Sequence, residues 1–171
     1  NALPLIFVMN KTFTVIEKII GCLITVWGMV TLYSVTSIVY NVISSGIVAS
    51  GNMSYLSIVA KNQLNIILSI AAIFGGFYLI NGEKNGWLMS IVCSIVFGIS
   101  FFISATINKN NVKQTDLFFY QSYSLTGILL AAMAIILLLK PFRLKYQPTK
   151  SNTKWSIIII TLLLLDKVVF G

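Results

Sequence analysis

The chain has 171 residues, of which 57% are apolar and only 9% are charged, and its mean hydropathy is +0.93. Soluble domains carry about 25% charged residues because their surfaces face water. This chain has too few charged residues to give so large an apolar core a polar surface. Most of its surface must therefore face lipid. The net charge of +8 lies in short segments between long apolar runs, a pattern typical of membrane topology signals. The composition therefore predicts an all-α membrane protein, one domain with no nucleic-acid partner.

The residue types that usually carry enzyme chemistry are scarce. The sequence contains no histidine, which excludes histidine-ligated haem and the usual histidine-containing zinc sites and removes the commonest general base. Cys22 and Cys93 both lie in apolar segments and lack the spacing of a redox pair. We therefore predict that the chain is not an enzyme and binds no metal or cofactor.

The first predicted membrane helix lies between two distant lysines. No charged residue occurs between Lys18 and Lys61, whereas a span needs about 20 apolar residues. We place the helix at about 19–43 and expect Glu17 and Lys18 to anchor its inner end at the lipid headgroups. Residues 47–60 are predicted to form a loop or a short interfacial segment.

Two further spans are joined by a short polar turn. They are predicted at about 63–80 and 87–107, and the turn between them carries two glycines that relax the backbone. The hairpin over residues 75–88, Gly-Gly-Phe-Tyr-Leu-Ile-Asn-Gly-Glu-Lys-Asn-Gly-Trp-Leu, resembles one in many small bacterial inner-membrane proteins. The resemblance is topological and carries over no functional residue. A sequence rich in Lys, Asn and Ile likewise suggests a bacterial genome rich in A and T.

The fourth predicted span, at about 117–139, ends at Lys140-Pro141 because proline cannot continue a helix. A basic loop without any acidic residue is predicted to follow over residues 140–154.

The last apolar segment, residues 155–170, is predicted to be helical, but its length leaves its placement open. At 1.5 Å per residue it reaches only about 24 Å, against a hydrocarbon core of ~30 Å. It spans if Lys167 extends to the far interface; otherwise it lies on the surface or packs as a half-helix. We expect Asp166 and Lys167 to form a local ion pair at the outer interface. The fold predicted is a bundle of four or five transmembrane helices with short loops.

The distribution of cations predicts the orientation. Cytoplasmic loops are enriched in Lys and Arg. With the N-terminus inside, eight cations lie inside and four outside. The inside set is Lys11, Lys18, Lys84, Lys140, Arg143, Lys145, Lys150 and Lys154, and the outside set is Lys61, Lys109, Lys113 and Lys167. The N-terminus is therefore predicted to be cytoplasmic.

The central helices carry stripes of small and weakly polar residues at steps of three and four, which places each stripe on one helix face. Small residues let lipid-solvated helices approach closely, so packing is the first interpretation. The alternative is a polar cavity or helix-packing set formed by Ser37, Asn41, Asn65, Ser69, Ser94 and Ser124. The central turns of the four helices contain no ionisable group, which argues against a proton- or ion-coupled transporter.

The basic residues Lys140, Arg143, Lys145, Lys150 and Lys154 predict contact with the membrane surface or with an acidic partner. Our leading hypothesis is a non-enzymatic accessory or partner-binding subunit of the inner membrane. It contacts the lipid bilayer and a protein partner or a second copy. The alternative is a small transporter, channel or permease component. An enzyme acting on lipid would have only four acidic residues and no histidine to use.

Overall fold

A computed structural model describes residues 3–45, 55–108 and 117–170 of the chain. The described residues form helices without any β-strand, which confirms the all-α prediction. The helices within the described ranges are α1 (Leu3–Ser44), α2 (Tyr55–Ile80), α3 (Lys84–Asn108), α4 (Leu117–Leu138), α5 (Lys140–Tyr146) and α6 (Lys150–Phe170).

Three helices in the described part of the chain are long and apolar enough to cross a membrane. The segments are Thr12–Ser44, Asn62–Ile80 and Lys84–Ile103. A fourth is added if Leu125–Leu138 and Lys140–Tyr146, which are bent by 60° at the break between them, count as one span. The chain is therefore a helical membrane protein.

Helices α1 and α2 begin well before the starts that the hydropathy pattern predicts. α1 begins at Leu3, well before the predicted start near residue 19, and Pro4 lies in its first turn, where a missing backbone N–H costs nothing. Its 42 residues extend over about 63 Å, twice the ~30 Å thickness of a hydrocarbon core. α2 begins at Tyr55 and takes up part of the segment predicted as a loop. Charges limit a membrane span, whereas a helix continues through them into water.

The turn between α2 and α3 is closed by a glycine in the left-handed region. Gly82 has φ 75°, and its N–H donates to the carbonyl of Leu79 over 2.9 Å while the N–H of Glu83 donates to that of Tyr78 over 2.9 Å. This pair of bonds is the Schellman arrangement, which favours glycine at the left-handed position. The Trp87 N–H then donates to Glu83 O over 3.1 Å, so α3 starts three residues before the predicted boundary.

α1 and α2 cross with their backbones almost in contact. A methyl group added to Gly21 would lie 2.9 Å from the carbonyl oxygen of Gly76, and one added to Gly28 would lie 2.8 Å from that of Ser69. A methyl group on Gly76 would collide with Thr25. The small-residue stripes of the two helices therefore pack directly against each other, as expected where lipid supplies no hydrophobic force for association.

The basic segment predicted as a loop over 140–154 is mostly helical. It comprises α5 and the first turn of α6, joined by Gln147, Pro148 and Thr149. Leu139 lies between α4 and α5 with extended backbone angles, φ −59° and ψ 151°. The proline at residue 141 does end α4, as predicted, but it then occupies the first turn of a new helix.

Candidate functional site

α5 packs against Phe13 and Trp87 at one end of the bundle, and we call these two aromatic residues the seat of α5. Phe142 is 1% exposed and meets Phe13 of α1 edge to face, with 5.7 Å between ring centroids. Tyr146 stacks on Trp87 of α3 at 5.5 Å. The indole N–H of Trp87 donates to the carbonyl of Leu137 in α4 over 2.9 Å. The apolar face of α5 thereby ties together α1, α3 and α4.

An ion pair with one buried partner holds the other edge of α5. The ammonium of Lys145 binds Oε2 of Glu17, and Glu17 is 2% exposed whereas the Lys145 side chain is 41% exposed. Within the described part of the chain, Oε1 of Glu17 and the hydroxyl of Tyr146 have no hydrogen-bond partner. The sequence predicts Glu17 at the lipid headgroups, but this side chain is buried within the protein. Lys145 of α5 supplies the cation that a buried carboxylate requires.

The outward face of α5 is basic. Lys140, Arg143 and Leu144 are exposed there and line an open pocket of about 570 Å³ together with Gln147 and Pro148. Gln147 has a left-handed φ of 42°, and its N–H donates to Arg143 O over 2.9 Å, which ends the helix.

The remaining cations of the predicted surface set lie on α6, and a further cation of the predicted inside set lies on α3. Lys150 and Lys154 are exposed on the first turns of α6. Lys84 donates to the carbonyl of Gln147 over 3.2 Å and so connects the start of α3 with the end of α5. Of the five basic residues predicted to contact the surface or a partner, Lys145 alone forms an ion pair within the described residues.

The six polar residues predicted for a cavity or for helix packing have different environments. Ser69 is fully buried and donates to the carbonyl of Asn65 over 2.6 Å. Ser94 is 1% exposed, and its hydroxyl has no partner among the described residues. Ser37 and Asn65 are half-buried and Asn41 is exposed, while the side chain of Ser124 lies outside the part that the structure describes.

A lateral groove lies between α6 and the pair α2 and α3. Its volume is about 600 Å³, and none of the six predicted polar residues lines it. Its wall is mainly apolar and includes Ala71, Val92, Cys93, Ile159 and Leu163. We call it the α6 groove. No local sequence pattern indicates it, because three separate helices contribute its walls.

The polar residues of the α6 groove are grouped where α3 and α6 begin and α2 ends. They are Tyr78, Asn85, Asn152 and Ser156. We call these four residues the polar rim. The rim adjoins the end of the bundle that holds α5, since Lys84 precedes Asn85 and bonds to Gln147.

The far end of α6 is tied to the start of the α2 span. Gln63 Nε2 donates to Asp166 Oδ1 over 2.9 Å. Asp166 therefore bonds to α2, whereas the sequence predicts a local ion pair with Lys167. Asn152 lies near Tyr78 at the opposite end of the groove. α6 therefore runs antiparallel to α2 along the length of its apolar segment.

No known protein family, curated protein or solved structure matches this chain. Any functional assignment therefore rests on the side chains described above. Among the residues that the structure describes, no group of three or more His, Cys, Asp and Glu side chains is placed to hold a metal ion.

Proposed function

We propose that this chain is a non-enzymatic accessory subunit of the bacterial inner membrane that binds a partner protein. The observation that carries the proposal is the burial of Ser69 and Ser94, which are at most 1% exposed between packed helices. A transport path through the bundle would need such hydroxyls to face water. Close backbone packing of α1 on α2 instead favours a static scaffold.

The contact with the partner is placed on the outward face of α5. Lys140 and Arg143 are exposed there without an acidic residue on the same helix. The opposite face is fixed by Phe142, Tyr146 and the Glu17 pair, so the basic face has a defined orientation. A rigid pair of cations suits an acidic segment of a partner at the membrane surface.

The proposed topology has five spans with the N-terminus in the cytoplasm. The antiparallel course of α6 beside α2 supports a fifth span, because the Gln63 to Asp166 bond lies near the opposite end of α2 from Tyr78. The excess of cations near α5 supports a cytoplasmic location for that end.

Affinity purification of the tagged protein from its native membrane in mild detergent tests this function. The double variant K140E/R143E should lose the partner, because the charge of the contact surface is reversed. The matched control K150E/K154E makes the same charge change on α6 and should retain it. Purification of the wild-type protein without a partner, or equal loss from both variants, would contradict the proposal.

The rival function, a small transporter or channel component, has support from one feature. The hydroxyls of three serines of α3 (Ser90, Ser94 and Ser100) have no partner among the described residues, and water in a transport path would supply the hydrogen bonds that they lack. A cysteine placed at position 94, in a chain lacking Cys22 and Cys93, distinguishes the two functions. Rapid reaction with a membrane-impermeant thiol reagent would demonstrate a water path and favour transport.

A further inference from the structure

The α6 groove has the size and lining of a ligand site. Ligand pockets typically enclose about 300–1,000 Å³ and are mostly apolar with a few polar groups, and this groove encloses about 600 Å³. The helices beside it expose large apolar side chains, including Ile67 and Phe74 of α2 and Ile158 and Leu162 of α6. The groove therefore opens toward the hydrocarbon of the bilayer.

Water is a poor occupant of the deep part of the groove. Ala71, Val92, Ile159 and Leu163 offer no hydrogen bond, and a buried water needs two to four polar partners. Without an apolar occupant, the side chains that line the groove would lose dispersion contacts. Lipid acyl chains reach the groove from the side and match its apolar lining.

The polar rim gives the groove a direction. Tyr78, Asn85 and Asn152 lie at one end of the groove, and the part of the groove that extends from there toward Leu163 is lined by apolar residues. From Asn152 to Leu163 the groove follows α6 for about 16 Å at 1.5 Å per residue, close to the ~15 Å depth of one leaflet of a ~30 Å core. An amphiphile with a polar head at the rim and a single chain along α6 has this same profile.

The charge around the rim selects the sign of the head. Described residues at this end of the bundle include seven cations and two acids. The cations are Lys18, Lys84, Lys140, Arg143, Lys145, Lys150 and Lys154, and the acids are Glu17 and Glu83. Cations near a membrane surface each attract anionic lipid by about 1 kcal/mol, over a distance of roughly 8–10 Å.

We propose that the α6 groove binds one acyl chain of an anionic phospholipid. The glycerol ester and phosphate lie at Tyr78, Asn85 and Asn152, which can donate hydrogen bonds to their oxygens. The chain fills the space between α6 and α3 and bridges helices that otherwise touch weakly. This site goes beyond the accessory function and shares no lining residue with the partner surface on α5.

Native mass spectrometry of the purified full chain tests the site. The protein is exchanged into delipidating detergent and then given an equimolar mixture of phosphatidylglycerol and phosphatidylethanolamine. We expect one bound phospholipid, predominantly phosphatidylglycerol. Ala71→Phe fills the groove and should reduce the bound fraction roughly tenfold, which corresponds to about 1.4 kcal/mol.

The matched control is Ala132→Phe, the same substitution at an exposed position of α4 away from the groove. It should bind lipid like the wild type. Should A71F fail to fold, Asn152→Ala removes a rim amide without adding volume, and it should also lower the bound fraction relative to A132F.

Three results would overturn the proposal. One is equal binding of the two phospholipids, since the charge at the rim then selects nothing. The second is equal lipid retention by A71F, A132F and the wild type. The third is a dimer that A71F converts to a monomer without any loss of lipid, which would make a second copy of the chain the occupant.

Discussion

Gly76 lies where α1 and α2 come closest, and its missing side chain is required there. A methyl group at this position would collide with the backbone and hydroxyl of Thr25. Backbone atoms cannot move aside as the end of a flexible side chain can, so the two helices would have to separate. Gly98 of α3 is the control position for this comparison. A methyl group there would lie 3.4 Å from Gly127 O, which is an ordinary van der Waals contact.

Gly76→Ala is therefore expected to destabilise the protein by about 1–3 kcal/mol, although alanine favours a helix. Gly98→Ala should be neutral or stabilise by up to about 1 kcal/mol, since the gain in helix propensity meets no clash. Thermal unfolding of both variants in the same detergent measures the difference. Equal melting temperatures for the two variants would show that the crossing is looser than described.

Single residues mark the limit of inference from sequence alone. The stripe containing Gly21, Thr25 and Gly28 could be predicted as a packing face, because its spacing is local. The pairing of Glu17 with Lys145 could not, since the two residues are separated by 128 positions. A charged residue at the end of a membrane helix is ordinarily expected to contact lipid headgroups. Nothing near Glu17 in the sequence indicates that Lys145 of a later helix pairs with it.

At the scale of elements, α5 combines an apolar anchor with a cation that pairs with a buried carboxylate of α1. Phe142 and Tyr146 fill the seat, while Lys145 neutralises a carboxylate that water cannot reach. The two partners are unequal, because Lys145 can turn to solvent and Glu17 cannot. Removing Lys145 therefore leaves the buried Glu17 carboxylate without a cation, whereas removing Glu17 leaves a lysine that water can solvate.

Lys145→Met is expected to destabilise the protein by roughly 2–4 kcal/mol, less than for a fully buried pair because Lys145 is partly exposed. Glu17→Gln should cost less, and the double variant should recover part of the loss from K145M. Lys140→Met, at an exposed cation of the same helix, is the control. Chemical unfolding gives the four values, and K145M as stable as K140M would rule out a structural ion pair.

The long helices were predictable and α5 was not. Apolar runs free of charge predicted α2, α3 and α4 close to their observed C-terminal ends, because lipid burial depends on local composition. The seven residues of α5 look like a basic loop in isolation. Their helix is stabilised by Phe13 and Trp87, which are distant in sequence. The α6 groove is missed for the same reason.

For the whole molecule, a crossing of the bilayer by α6 would decide on which side of the membrane each end of that helix lies. Gln147 precedes α6 and Val168 lies near its end, and both are exposed. If α6 crosses the bilayer, these two positions face opposite compartments.

Cysteines introduced singly at 147 and 168, in a chain lacking Cys22 and Cys93, test the crossing. In intact cells a membrane-impermeant thiol reagent should label position 168 and spare position 147 until the membrane is permeabilised. Labelling of both positions from the same side would leave α6 on the surface, and labelling of 147 from outside would invert the orientation.

The close approach of Gly21 to Gly76 has a thermal consequence. Both helices are solvated by acyl chains, so parting them brings no apolar surface into water and adds almost nothing to the heat capacity of unfolding. Their contact relies on dispersion and keeps its strength on cooling. The topology proposed above puts the seat of Phe142 at the aqueous boundary, where burial is driven by water and weakens in the cold. Low temperature should therefore loosen α5 before it separates α1 from α2.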